Sequence, residues 1–470
     1  MDASGWGQTA AQPDIKGMSA LLADRPATPA TAAIPARRPR IVIIGGGFAG
    51  IAAARRLKHA HADITLVDRT NHHLFQPLLY QVALATLNPG DIAVPIRWLL
   101  RHHANTEVLM AAVSGIDVAN RVVSLDGGES LPYDYLVVAT GARHSYFGHP
   151  EWADAAPGLK SIEDAVDCRN RFLTAFEEAE RDDDPEVRLA HQTFVIVGGG
   201  PTGVELAGFI PDIIRHALRP DFRRLSADRS RVILLEAGPK ILPTFPDSLA
   251  ATARRDLERL GVTVRTGAMV TRVEPDAVYV GDERIAARTI YWAAGNQASP
   301  LARDLAAPLD RAGRVLVEPD LSVPGYPEVF VTGDLAAIKD RTGQWVPGVA
   351  PAANQMGRSA GSNILASIAG RPRTPFRYLD KGNLATIGRH RAIAAVGPIR
   401  ISGHLAWFMW LFIHILYLAG FRNRLTVLIQ WAYAYFTWQR GVRLITNIVP
   451  GKTASRIITR RRAEAGLPIS

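Results

Sequence analysis

One unit occurs twice in this chain, and it limits the fold more than any other feature. An apolar run of strand length leads into Gly-x-Gly-x-x-Gly, then a helical stretch, then a second apolar run that ends in an acid. In the first copy, residues 41–44 precede Gly45-Gly46-Gly47-Phe48-Ala49-Gly50, and the run 64–67 ends in Asp68. In the second, residues 194–197 precede Gly198-Gly199-Gly200-Pro201-Thr202-Gly203, and the run 232–235 ends in Glu236. Each residue type has a physical reason. Gly45 and Gly198 permit the tight turn, Gly47 and Gly200 let backbone approach a pyrophosphate, and Gly50 and Gly203 let the helix pack on its strand. The helix N-terminus then faces the phosphates' negative charge. Asp68 follows Gly50 at close to the spacing where a ribose-binding carboxylate belongs. Glu236 lies well beyond that spacing from Gly203, so its place at a strand end, not the count, assigns it. The extra length is a basic stretch over 215–231, read as an insertion or a longer helix. A solvated strand-end carboxylate is the other reading of Glu236.

Between the two units the texture stays α/β. Strand-length apolar runs alternate with helical stretches, as in parallel sheets buried on both faces. The expected class is therefore α/β, with two Rossmann-like dinucleotide-binding domains and a C-terminal amphipathic helical segment. The expected divisions are a disordered leader over 1–39, a first nucleotide domain over 40–155 that resumes at 301–399, a second over 156–300, and the C-terminal segment over 400–470. Shorter signals fit this order. Thr140-Gly141 and Gly295 each follow a strand, giving close backbone contact to a cofactor or a crossover between domains. Gly333-Asp334 ends a late strand, where a carboxylate can bind a polyol chain. Two dinucleotide sites in one chain imply a relay, with hydride passing from a nicotinamide to a flavin.

The single cysteine, Cys168, excludes an intramolecular disulfide, a CxxC redox pair and a cysteine-rich metal site. The histidines at 59, 61, 72, 73, 102 and 103 show no HxxxH spacing with a carboxylate in register, so no metal is expected. The one GxSxG match, Gly357-Arg358-Ser359-Ala360-Gly361, follows no strand-length apolar run, so no nucleophile elbow is expected.

The motif order resembles the two-dinucleotide-binding-domain flavoprotein superfamily. Within it, one cysteine is too few for the disulfide reductases or the sulfide:quinone oxidoreductases. The segment from His73 to Ala83 (HLFQPLLYQVA) stands where the reductases carry their cysteines. That segment, Ser145-Tyr146-Phe147-Gly148, GPTGVELAG over 200–208 and PGVAPAANQMG over 347–357 closely resemble the single-subunit type II NADH:quinone oxidoreductases. The resemblance implies non-covalent FAD in the first unit and NADH as substrate in the second. It also implies a quinone site near a motif often written with Gln at both ends. Here the first of those positions is Pro351, while Gln355 is retained at the second, so the resemblance places quinone contact on Gln355. It further implies that Glu205 stands near the junction of flavin, nicotinamide and quinone, orienting the nicotinamide or supplying protons. The other reading of Glu205 is a first-turn acid favoured by the helix dipole.

Charge and hydropathy separate the C-terminal segment from the rest. Residues 371–470 hold 16 Lys and Arg against 2 Asp and Glu, whereas the first 370 hold 38 against 42. Within that basic segment lie long apolar runs at 405–419 and 425–438, rich in Trp and Tyr and flanked by arginine. Apolar and basic residues together favour an anionic membrane surface over a nucleic-acid groove. Fifteen helical residues reach roughly 22 Å, short of a roughly 30 Å hydrocarbon core. The expectation is a peripheral protein on the cytoplasmic face of the cell membrane, with a single span as the alternative. A homodimer contact is the soluble-protein alternative for the same surface. For function, the expectation is NADH oxidation with reduction of a membrane quinone and no proton pumping. The alternatives are a soluble ferredoxin- or rubredoxin-type NADH reductase and a flavin-containing sensor without turnover.

Overall fold

The computed structural model describes residues 37–223, 229–437 and 442–446. The expected leader therefore lies outside the described residues, apart from 37–39. So does the chain beyond 446.

The first sheet has six strands in the order Ser322–Val323, Tyr326–Val331, Tyr135–Val138, Arg40–Ile44, Asp63–Asp68 and Thr106–Met110. All neighbours are parallel except the first pair. The RIVII sequence of the central strand is buried almost throughout, which is why it reads as a continuous apolar run rather than an alternation. The second sheet has the order Val262–Thr266, Arg231–Glu236, Thr193–Val197 and Thr289–Trp292, all parallel. In each sheet the strand entering the glycine turn lies between the strand ending in the acid and the strand preceding Ala-Thr-Gly or Ala-Ala-Gly. The registers match as well. Ile44 pairs with Val67 and Val138, and Val197 pairs with Leu235 and Trp292. The duplicated motif of the sequence is thus a duplicated fold. Two short strands, Ala142–His144 and Asn296–Ala298, pair antiparallel where the chain passes from one sheet to the other and back.

Helix Ala350–Ile368 lies against Phe48–Arg56, the helix that opens at the first glycine turn. Their contact is made of small residues. A Cβ on Gly357 would run into the Ala49 backbone, and one on Gly361 would stand 3.0 Å from Arg56 Cβ. The two backbones approach too closely for any larger side chain at Gly357. Gly357→Ala is therefore expected to cost about 1–3 kcal/mol through overpacking and to loosen flavin retention. Thermal unfolding and the flavin-to-protein absorbance ratio check both effects.

The C-terminal part begins with an antiparallel sheet, Asn383–Ile387, Arg391–Val396 and Ile399–Gly403. Helices His404–Tyr417 and Phe421–Thr437 follow. Ala406, Trp410, Leu418 and Val427 are buried in the same core as Leu78, Leu79, Leu84 and helix Pro201–Ile213. Their outward side carries Leu405, Phe408, Phe412, Phe421 and Phe436, all exposed. A helix apolar all round needs a second apolar partner. Among the described residues, no helix is long and apolar enough to cross a membrane.

Candidate active site

The glycine turns repeat in atomic detail. Gly45 N–H donates to Val67 O at 2.8 Å and Gly198 N–H to Leu235 O at 2.7 Å. Both glycines have positive φ, +102° and +108°, which a side chain would oppose. Gly50 and Gly203 seat their helices directly on the carbonyls of Gly45 and Gly198. Added Cβ atoms at Gly47 and Gly200 would meet no protein atom within 4 Å, so these two positions open outward at the helix N-termini.

The acids take equivalent places despite their unequal spacing. Asp68 Oδ2 accepts from Gly46 N–H at 2.6 Å, and Glu236 Oε2 accepts from Gly199 N–H at 2.6 Å. The remaining oxygens accept from Thr70 N–H and hydroxyl and from Gly238 N–H. A carboxylate has about four lone-pair directions, so each acid keeps capacity for a sugar hydroxyl. The stretch before Glu236 is partly a continuation of the glycine-motif helix, through a wide turn at Ile214–Leu218.

Thr140 and Gly141 follow strand Tyr135–Val138, and Gly295 follows Thr289–Trp292 at the matching point. Ala139 N–H donates to Ile44 O and Ala293 N–H to Val197 O, both at 2.8 Å. Gly333 and Asp334 begin a short turn after Tyr326–Val331, beside the first glycine helix. Burial pushes the Asp334 carboxyl up, while Lys160 and Arg314 pull it back down. Lys160 feels the converse, lowered by burial and raised by Asp334 and Asp164. Lys160 had no signal in the sequence beyond an ordinary turn.

These residues fit FAD in the first unit. The Thr140 and Thr332 hydroxyls are buried without a hydrogen-bond partner among the described residues; the Thr140 backbone stands beside Gly45, and Gly333, next after Thr332, stands beside Ala49 of the same motif. Buried hydroxyls normally find partners, and a flavin nucleotide's polar edge would supply them.

Glu205 stands on the helix from the second glycine turn, at 8% exposure. Burial pushes its carboxyl up to about 8, opposed by a hydrogen bond from the Thr386 backbone. At neutral pH it is protonated, which does not suit a charged acid acting on the helix dipole. Its neighbour Phe209 meets Tyr80 at 5.2 Å between ring centres. Gln81 Nε2 donates to Tyr80 OH at 3.0 Å, and Trp431 Nε1 donates to Gln81 Oε1 at 2.8 Å. An aromatic series runs beside it, from Phe48 to Phe75 (5.9 Å), His414 (6.3 Å), Trp410 (4.2 Å) and Trp431 (5.4 Å). Burial pushes the His414 imidazole down to about 4, so it is neutral there. His414 is the one polar residue of the apolar run 405–419, and nothing in the sequence gives it a role.

Gln355 faces a different neighbour. Its amide exchanges two hydrogen bonds with the Leu379 backbone, Nε2 to O at 3.0 Å and N–H to Oε1 at 2.9 Å. It thereby holds the chain just before Lys381, whose ammonium donates to Tyr417 OH at 2.6 Å. Glu205 and the aromatic series share one core, whereas Gln355 meets the C-terminal part through Leu379.

The pyridine nucleotide-disulphide oxidoreductase family model matches residues 39–357, and the NDH2 C-terminal domain model matches 381–438. The chain belongs to the type II NADH:quinone oxidoreductase family. It is 48% identical over 428 residues to the type II NADH:quinone oxidoreductase Ndh of Mycobacterium tuberculosis, covering 88% of this chain and 91% of that protein. It is 31% identical to the demethylphylloquinone reductase NdbB of a Synechocystis strain, covering 84% and 96%. The fold resembles that of NDH2 from Plasmodium falciparum, with a TM-score of 0.80 at 19% identity over 86% of this chain and 100% of that one. Membership of this family favours quinone reduction over the ferredoxin- or rubredoxin-type alternative.

Proposed function

We propose that this type II family member oxidises NADH and reduces a membrane quinone, with FAD held in the first unit. The observation that carries the reading is the shared core. Helix Pro201–Ile213 with Glu205, the 73–83 motif and the inner faces of the two C-terminal helices pack as one body. Held by the first unit, FAD would supply the redox chemistry between NADH and quinone, a hydride taken in and two electrons given out. The protein's own groups bind, orient and protonate. Gly45, Gly47, Gly50, Asp68, Thr140, Gly141, Gly333 and Asp334 hold the flavin nucleotide. Gly198, Gly200, Gly203, Glu236 and Gly295 hold NADH. Glu205 is a neutral acid at pH 7, suited to give a proton to a reduced quinone oxygen. Gln355 acts through the Leu379–Lys381 backbone that it fixes. The proposed domain division is 40–155 with 301–399 for the first unit, 156–300 for the second and 400–470 for the C-terminal segment, although the antiparallel sheet of the C-terminal part already starts at Asn383.

The helices His404–Tyr417 and Phe421–Thr437 rest in the membrane interface, and their basic flanks meet an anionic leaflet. NADH and acidic lipid together make the cytoplasmic face the proposed location. Self-association through the same apolar face is the competing arrangement. Adding anionic liposomes to purified protein separates the two, because flotation with lipid follows only from the first. Quinone-dependent NADH oxidation that is unchanged by added ferredoxin or rubredoxin tests the reaction itself.

Glu236 is expected to select NADH over NADPH, since it accepts from a ribose hydroxyl and repels a 2′-phosphate. Glu236→Gln should narrow the preference on the order of tenfold, in line with the roughly 1.5–3 kcal/mol of a charged hydrogen bond. The ratio of kcat/KM for the two nucleotides measures it. Equal kcat/KM for NADH and NADPH in the unaltered protein would remove Glu236 from this role.

A further inference from the structure

Phe147 packs on the fold through one aromatic neighbour, Trp292, at 6.3 Å between ring centres. The residue is nevertheless 66% exposed, and its backbone sits at φ 52°, a region that non-glycine residues seldom adopt. The residues before it are firmly held. Trp292 Nε1 donates to Ser145 O at 2.8 Å, Tyr146 stacks on Trp292 at 5.2 Å, and Tyr146 OH donates to Ala156 O at 2.9 Å. Phe147 N–H also donates to Ser145 Oγ at 3.3 Å. Strain of this kind persists only where surrounding structure imposes it, and it clusters at ligand clamps.

The ring's position says which ligand. A Cβ on Gly295 would stand 2.6 Å from Phe147 Cζ, so the ring lies over the turn that follows strand Thr289–Trp292. In the second sheet, Glu236 lies on one side of the glycine strand and this turn on the other. With the pyrophosphate at the N-terminus of helix Pro201–Ile213 and the adenosine ribose on Glu236, the rest of a dinucleotide must run over Gly295. We infer that Phe147 is a binding residue that covers the nicotinamide half of NADH. The inference rests on the second unit holding NADH, and it adds a contact that the glycine motif does not supply. An aromatic ring presents a π-face to the nicotinamide ring or the apolar edge of its ribose.

Calorimetric titration of the FAD-loaded protein with NAD⁺ and with ADP tests it, since ADP has the adenosine and pyrophosphate but no nicotinamide half. Phe147→Ala should weaken NAD⁺ about tenfold, within the range of base–aromatic stacking, and leave ADP unchanged. Phe147→Tyr should restore NAD⁺ affinity. Phe147→Gly relieves the positive φ, so it should weaken NAD⁺ as Phe147→Ala does while the thermal midpoint holds or rises. In turnover the KM for NADH rises and kcat with quinone does not fall. Unchanged NAD⁺ affinity in both Phe147→Ala and Phe147→Gly overturns the inference, as does equal loss for ADP and NAD⁺. If the unaltered protein binds neither ligand, the NADH assignment of the second unit falls instead.

Discussion

Glu205→Gln will slow the quinone half of the reaction on the order of 100-fold, the lower range for loss of a positioned proton donor. In a stopped-flow experiment the flavin will bleach with NADH near the unaltered rate, and its colour will return slowly when quinone is added. The unaltered protein will itself lose quinone rate above about pH 8, where the Glu205 carboxyl ionises. In Glu205→Gln that dependence will be flat. Stability follows the same group. Its folded pKa lies above the ordinary value of 4.5, so its contribution is full below about pH 4.5 and is lost as pH rises through about 8. Glu205→Gln should therefore unfold at a temperature that varies less between pH 6 and pH 9 than the parent's. If bleaching slows and colour return does not, Glu205 orients the nicotinamide and the proton-donor reading is dropped.

The second large effect concerns the membrane. Substituting Phe408, Phe412 and Phe436 together by Ser should move the protein from the pellet to the supernatant of a membrane preparation. Full burial of three such rings amounts to roughly 4–9 kcal/mol, so half of that still lowers membrane partition at least about 30-fold. A high-salt wash, which screens only the charge contribution, should release much less of the unaltered protein than detergent does. These positions are chosen because they face outward. Deleting the helices would also strip Trp410 and Val427 from the core, and loss of activity would then report unfolding. The triple variant should keep its flavin and still reduce a small soluble acceptor. A variant that stays in the pellet with unchanged quinone activity would remove the helices from the anchoring role.

Local chemistry was legible in the sequence, and long-range assembly was not. Both glycine turns and Asp68 could be read because strand, turn and helix are neighbours along the chain. Glu236 was harder to assign, because a long basic stretch separates it from Gly203. Parallel pairing of its strand with Thr193–Val197 gives it the same hydrogen bond as Asp68. The state of Glu205 could not be read. Its burial depends on the hairpin at 383–396, which arrives far later in the chain and brings the Thr386 N–H. Gln355 shows the same limit, since its partner is a backbone segment and no motif marks it. The apolar runs were visible, but the side chains that fasten them were not. Gln81 meets Trp431, and Asn423 reaches the Gly90 and Ala93 carbonyls. The resemblance singled out Phe147 only as part of a motif, and backbone strain gives it a separate meaning.

Those fastenings have a consequence for how the protein ages under stress. Trp431 and Asn423 tie the helix to the same stretch, residues 81–93, that packs beneath Glu205's helix. Prising the helix loose therefore disturbs the reaction chamber before either nucleotide fold opens. Warming or harsh detergent should give a protein that is still yellow and still nucleotide-bound, yet idle toward quinone. Colour alone would then be a poor index of a sound preparation.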